Sequence, residues 1–290
     1  QVTQRVLGRP LGRLVLLLCL GWGLLLLAAN ARLFSLRFLS TSYSNSPAGL
    51  FLAVLLALAL WLAWKPVRVL ARAGEIFRLA LAVGLAFSLA LGAFQIEPRH
   101  VLPIWTEDVP GLLSAALPVL GLLGYGLFAA FLGGNVTRTG NDRRRLLVWG
   151  MVFCLVLTAL QLVCQGNFGP TLTARADTPF FLMVKGIGIE GTFQRVESLI
   201  IALWVFSDLA LLALLASSCA ALAQAVFSLK ERRHAAVPVA GLALAGAWLL
   251  FPDAFSLDRW MENVVWPGNL LLGFGLPVLL LLVKKLRGQV

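Results

Sequence analysis

Residues 193–216 read FQRVESLIIALWVFSDLALLALLA, and beyond Glu197 the one charged side chain in that stretch is Asp208. A carboxylic acid in such a run can hold a cation, carry a proton or accept hydrogen bonds. At 100° per residue, Glu197 and Asp208 fall within about 20° of each other on a helix, with Trp204 one turn from Asp208 and Cys219 continuing the stripe. That face is expected to look inward. Asp208 stands roughly 16 Å along the helix from Glu197, near the centre of a bilayer if the helix spans one. An ionised acid there costs between about 3 and more than 10 kcal/mol unless it is protonated or partnered, and no lysine or arginine falls in any span core to partner it. Three readings stay open: a neutral acid hydrogen-bonded to a neighbouring helix, an acid facing a wet cavity that receives a cationic group, and a proton-relay acid. Arg195 and Glu197, at the outer interface, are expected to form a local or cross-loop ion pair.

A second stretch with chemical potential is PGLLSAALPVLGLLGYGLFAAFLGG, residues 110–134, where Pro118, Gly121, Gly124 and Gly126 crowd the middle around Tyr125. Proline and glycine at this density predict a helix that breaks or unwinds. Interrupted helices at mid-membrane can present backbone groups and half-helix ends to a small polar ligand. The glycines equally suit a tight helix crossing, in which they let two backbones approach.

These residues are carried by elements legible in the composition. With 60% apolar and 13% charged residues, the chain lies far from soluble domains, which carry about 25% charged residues. Apolar runs long enough to cross about 30 Å of hydrocarbon fall near 13–31, 48–64, 76–94, 111–133, 146–164, 198–227, 235–252 and 266–283. Eight transmembrane helices in a single domain over residues 1–290 are expected. Residues 165–195, rich in Gly, Pro and Thr, are expected to form an outside re-entrant or interfacial segment.

The +11 net charge has no soluble domain on which a nucleic-acid-binding face could be built, so it is read against the membrane. Arg5, Arg9 and Arg13 precede the first span, and Lys65, Arg68, Arg72 and Arg78 follow the second. Arg138 and Arg143 to Arg145 follow the fourth, Lys230, Arg232 and Arg233 the sixth, and Lys284, Lys285 and Arg287 the last. The opposite side holds most of the acids: Glu97, Glu107, Asp108, Asp177, Glu190, Asp253, Asp258 and Glu262. The basic side is therefore expected to be cytoplasmic, with both termini inside a multi-pass cell membrane protein.

Cys19, Cys154, Cys164 and Cys219 stand singly in apolar segments and read as core residues. His100 and His234 fall in loops, and no metal or nucleophile–base constellation can be assembled. The sequence calls for no cofactor and no catalysis. It opens on Gln1 without a methionine, and residues are expected upstream.

Four pieces of the chain carry a resemblance. FQRVESLIIALWVFSDLALLALLASSCAALAQAVF has an Arg-x-Glu before an Ile-rich run and a tryptophan. NSPAGLFLAVLLALALWLAWKPVRVLARAGEIF has a proline-started helix, a basic loop and an Ala-Arg-x-x-Glu-Ile turn. GPTLTARADTPFF matches a Gly-Pro-x-x-Thr-Ala-Arg-x-x-x-Pro loop, and the chain ends in a proline-containing helix with a basic tail. Over nearly its whole length the chain resembles the spore germination permeases, the B subunits of nutrient germinant receptors.

The resemblance implies the ten-helix, five-plus-five inverted-repeat fold of the amino acid, polyamine and organocation transporter group. The eight spans would correspond to helices three to ten, leaving an open groove beside the fourth span where a first helix would pack. It implies a subunit in the spore inner membrane that binds a small nutrient, an amino acid by expectation, and passes the event to a membrane A subunit and a lipoprotein C subunit. The ligand-binding set is then Gly121, Gly124, Tyr125, Gly126, Ser207 and Asp208. Backbone freed at the glycines would cradle the ligand, Tyr125 would act as wall or lid, and Asp208 would face an ammonium. Family members often carry a glutamate just after the glycines of the sixth helix; Leu127 stands there here. An ion-coupled amino acid permease is the alternative function.

Overall fold

The computed structural model describes residues 7–41, 47–101, 109–135, 140–176, 178–186 and 196–286, and every described element is helical. Helix α1 covers Arg9–Thr41, α2 Ala48–Trp64, α3 Val67–Ala93, α4 Val109–Leu123, α5 Gly126–Phe131, α6 Asp142–Arg175, α7 Pro179–Gly186, α8 Val196–Phe227 and α9 Arg233–Leu249. A last helix, α10, runs over Ala254–Leu286 with π-turns at Met261–Val265 and Leu271–Gly275. Six helical stretches among the described residues, one of them α4 and α5 taken together, are long and apolar enough to cross a membrane, and Ala48–Trp64 is a shorter apolar helix. The chain is thus an all-helical protein of the polytopic membrane class.

By packing, the chain divides into two compact units. One comprises Gln1–Gly74, Gly111–Val136 and Asp208–Val290; the other comprises Glu75–Pro110 and Thr137–Ser207.

In the first unit α1, α2 and α9 pack together. Their contact surfaces are built from small side chains: Ala28, Ala29 and Ala31 on α1, Ala59 and Ala63 on α2, and Ala235, Ala236, Ala243 and Ala247 on α9 are all buried. In hydrocarbon, burying apolar area gives no net drive, so close backbone approach through small residues supplies the van der Waals contact instead. Proline frames α2: Pro47 caps its start in an extended conformation, and at its end Lys65 N–H donates to Leu62 O before Pro66, which cannot continue the ladder. Arg232 covers the exposed end of α2, donating to Ala63 O at 3.1 Å and Lys65 O at 2.6 Å; burial pulls its pKa below the ordinary guanidinium value.

Helix α1 corrects one expectation. The first apolar run in the sequence ends at residue 31, before the arginines beyond it, but the helix continues to Thr41 because each arginine in the extension finds a partner. Arg32, buried, donates from Nε to Phe251 O at 2.9 Å and from Nη2 to Pro252 O at 2.6 Å, and stacks over Trp248. It thereby holds the carbonyls just beyond the C-terminus of α9, the groups that a helix end leaves without partners. Arg37 lies one turn and a half further on, over Phe34.

In the second unit the buried positions of α3 are Gly84, Ser88 and Gly92, four residues apart on one face. A side chain at Gly84 would meet Leu203, and one at Gly92 would meet Val163 and Met183, so this stripe receives α6, α7 and α8. The expected re-entrant segment is in part helical: α6 runs on to Arg175 through a kink at Gly169, whose φ of 75° suits glycine, and Pro170 restarts the helix after it. The turn is fastened by Glu97 N–H and a His100 ring nitrogen on Gly166 O, at 3.0 and 2.9 Å, and by Asn167 Nδ2 donating to Gly92 O at 3.0 Å. His100 thus belongs to a built turn, and His234 to the first turn of α9.

Candidate functional site

The polar groups inside the first unit gather on α1. Gly23, Asn30 and Arg37 are spaced by seven residues, which keeps them within about 40° on one helix face. Each faces a different piece of the bundle. A side chain on Gly23 would meet Cys219 Sγ and the Phe128 ring. Asn30 Nδ2 donates to the Tyr125 hydroxyl at 2.9 Å and to Leu26 O at 2.7 Å. Arg37 Nη1 approaches Asp208 Oδ1 at 3.7 Å. Because Gly23 meets α8 at Cys219 and Arg37 meets it at Asp208, α1 and α8 run antiparallel.

That last contact overturns the expectation of an acid with no basic partner at its depth. The Asp208 side chain is 4% exposed and Arg37 is 26% exposed. The partner escaped notice because α1 was ended ten residues too early. At 3.7 Å the pair is an ion pair beyond the 2.7–2.9 Å of a charge-assisted hydrogen bond, and Asp208 Oδ2 has no hydrogen-bond partner among the described residues.

Helices α4 and α5 meet at Gly124 and Tyr125. The interruption is there, but it is a tightening and not an unwinding. Gly124 N–H bonds to Gly121 O at 3.1 Å, Tyr125 N–H to Leu122 O at 3.3 Å, Leu127 N–H to Gly124 O at 3.1 Å and Phe128 N–H to Tyr125 O at 3.1 Å. These are bonds to the third residue back, as in a 3₁₀ turn, so the amides of Gly124 and Tyr125 are occupied. Two of the glycines serve a close crossing with α10. A side chain on Gly121 would lie 3.0 Å from Trp266 O, one on Gly124 would run into the backbone of Asn269, and one on Gly273 would lie 2.5 Å from Gly124 Cα. The expected groove beside this span therefore does not open along Gly121 and Gly124, whereas Gly126 faces open space.

The crossing delivers Asn269 to Tyr125. Asn269 lies between the two π-turns of α10, in the five-residue stretch that opens with Trp266 and Pro267. π-turns of this kind recur at functional positions. Its side chain, buried, lies beside the Tyr125 hydroxyl and accepts from Trp22 Nε1 at 3.0 Å. Trp22 packs on Gly268, where no side chain would fit. One phenol, two carboxamides and one indole from three separate stretches of chain thus form a polar cluster in an apolar surround, with hydrogen bonds between Asn30 and Tyr125 and between Trp22 and Asn269. Next to it, Ser218 Oγ donates to Phe128 O at 2.8 Å.

Of the residues singled out in the sequence, Gly121, Gly124 and Tyr125 are brought together, with Gly126 at the rim. Asp208 has its own partner on α1. Ser207 and Trp204 belong to the second unit: Ser207 is exposed, and the Trp204 ring packs on Phe181 with centroids 5.2 Å apart. The expected Arg195–Glu197 pair lies outside the described residues. Trp22, Asn30 and Asn269 were missed, although an asparagine inside an apolar run is the signal that finds two of them. Cys19, Cys164 and Cys219 are buried and Cys154 is exposed. Among the described residues no group of His, Cys, Asp and Glu has the makings of a metal site.

A family model described as "Spore germination protein" matches residues 1–250. The putative spore germination protein YfkT of Bacillus subtilis (strain 168) is 24% identical over 199 residues, which is 67% of this chain and 53% of that protein. The chain thus spans about half the length of the curated relative it matches. No solved structure matches the chain. The family match over 250 of 290 residues, on a chain of long apolar helices, places this protein in the spore germination permease family.

Proposed function

We propose that this germination-related membrane protein is a nutrient-sensing subunit that binds a small amphoteric solute, an amino acid, at the Tyr125 cluster. The observation that carries the reading is the buried polar set Trp22, Asn30, Tyr125 and Asn269 at a tightened helix junction. Polar side chains buried among membrane helices are expensive and tend to serve function. The carboxamides and the indole offer donors to a carboxylate, and the Tyr125 hydroxyl offers both a donor and an acceptor. Asp208 has an oxygen without a hydrogen bond and a loosely held arginine, so a ligand ammonium can compete for it. Gly126, with open space beside it, completes the candidate set, while Gly121 and Gly124 act by setting how closely α10 approaches.

Binding would signal by favouring one of two packings of α4, α5 and α10, since the glycine contacts between them leave no room for intermediate spacing. In this reading no reaction is catalysed. The response passes to a membrane A subunit and a lipoprotein C subunit, in the spore inner membrane. The remaining architectural proposals are eight crossings in one transmembrane domain, equivalent to helices three to ten of an inverted-repeat fold, with both termini on the Lys/Arg-rich cytoplasmic side.

The test is a nutrient dose–response of germination in spores carrying wild type or Asp208→Asn at equal levels. The amide keeps shape and loses charge, so the midpoint should rise about ten- to a hundredfold, the equivalent of roughly 1.5 to 3 kcal/mol for one charge-assisted hydrogen bond. An unchanged midpoint assigns Asp208 to structure alone. Uptake of labelled amino acid into vesicles, with no effect of the variant on germination, would favour the ion-coupled permease.

A further inference from the structure

Within the second unit a cavity of about 1000 Å³ runs along α6 between α3, α7 and α8. Its two ends differ in chemistry. At one end stand Arg78, Arg144 and Arg145 with Asn141; deeper in, the lining is apolar and includes Val152, Val156 and Leu160. From Arg144 to Leu160 is about 24 Å of helix at 1.5 Å per residue, more than the roughly 15 Å of hydrocarbon in one leaflet.

The arginine end is also where α6 begins, so the partial positive charge of a helix N-terminus adds to the guanidiniums. Neither Arg78 nor Arg144 has a carboxylate partner among the described residues, and Asp142, beside Asn141, does not line the cavity. The Trp149 and Phe153 rings stack on each other, centroids 5.5 Å apart, and both form part of the wall. In the most apolar stretch of α6 only 6% of the residues are buried, so this wall is covered by little protein.

We propose that this groove is a binding site for an anionic phospholipid, its phosphate between Arg78 and Arg144 and an acyl chain along Val152, Val156 and Leu160. Two features select this occupant. A water-soluble anion would use the arginines and leave the long apolar lining exposed, whereas an uncharged lipid or an apolar helix would fill the lining and bring no counter-ion to Arg78 and Arg144. A molecule with a phosphate joined to a hydrocarbon chain satisfies both ends, and basic pockets between membrane helices take lipid head groups on the same grounds. Tryptophan one turn inside the charged end fits the usual depth of that residue, at the head-group level.

Native mass spectrometry of the full chain in mild detergent tests it, with phosphatidylglycerol and phosphatidylcholine of identical acyl chains titrated in parallel. The wild type should retain phosphatidylglycerol about 20- to 30-fold better, two guanidinium contacts contributing about fivefold each. Arg78→Ala/Arg144→Ala should bring the two lipids level, and Val156→Trp, with every charge intact, should reduce retention of both. Equal retention of phosphatidylglycerol by the wild type and the double variant overturns the proposal. So does undiminished retention in Val156→Trp, which decides the matter even if the arginine variant does not fold. Displacement of the lipid by millimolar inorganic phosphate would mark a simple anion site and overturn it too.

Discussion

Removing the Tyr125 hydroxyl takes one hydrogen bond from Asn30 and a polar neighbour from Asn269, yet neither amide is left bare, since Asn30 still donates to Leu26 O and Asn269 still accepts from Trp22. Tyr125→Phe should therefore cost only about 1 kcal/mol of stability, the ordinary value of a side-chain hydrogen bond between membrane helices, when unfolding is followed by titration into a denaturing detergent. A loss above about 3 kcal/mol would mean that the cluster holds the fold together. The Arg37–Asp208 pair should behave asymmetrically. Arg37→Gln strands a carboxylate whose side chain is 4% exposed, whereas Asp208→Asn leaves a guanidinium that is 26% exposed and packed on Phe34. The arginine variant should be destabilised more, by about 1–3 kcal/mol, and the double variant by less than the sum of the two. Additive effects in a double-mutant cycle would show that the pair is not coupled.

At the scale of elements, Gly124 and Gly126 make a paired test, because they are two residues apart and have opposite surroundings. A methyl group on Gly124 would strike the Asn269 backbone, which cannot turn aside as a side chain can, while nothing lies within 4 Å of one on Gly126. Gly124→Ala should separate α4 and α5 from α10 and cost at least about 2 kcal/mol. Gly126→Ala should be neutral, or stabilise by up to about 1 kcal/mol through helix propensity. Equal thermal stabilities in detergent would remove the close crossing from the account. Gly169→Ala, at φ 75°, should cost about 1–2 kcal/mol.

These elements were unevenly legible. The interruption at residues 121–126 could be read from its glycines and Pro118, because backbone preference is local. Which helix crosses there could not, since any helix with small residues or a bulge can face a glycine pair. The end of α1 was misread for a related reason. Arg32 and Arg37 look like the start of a loop until the carbonyls beyond α9 and the Asp208 carboxylate, some 170 to 220 residues away, are seen to partner them. Asn30 and Asn269 were visible as polar residues in apolar runs, but only the fold brings them to the same phenol.

For the molecule as a whole, the proposed orientation, with the basic loops cytoplasmic, rests on the alternation of basic and acidic loops. In a background with Cys19, Cys154, Cys164 and Cys219 replaced, a cysteine at Ser256 should react with an impermeant maleimide on intact cells, and one at Lys230 only after the cells are opened; the reverse pattern would invert the topology. The charge pattern and the apolar helices were read directly from the sequence because they are summed over many residues. The cluster around Tyr125 was not, because it is a property of a few side chains drawn from 247 residues of separation. Its role can be measured by equilibrium binding of radiolabelled amino acids to the purified full chain in nanodiscs, comparing wild type with Tyr125→Phe and Asn269→Ala. Saturable binding of an amino acid by the wild type, weakened at least tenfold in both variants whose helical content and melting are retained, is the expected result. Wild-type affinity in both folded variants would contradict the assignment of this cluster as the nutrient site.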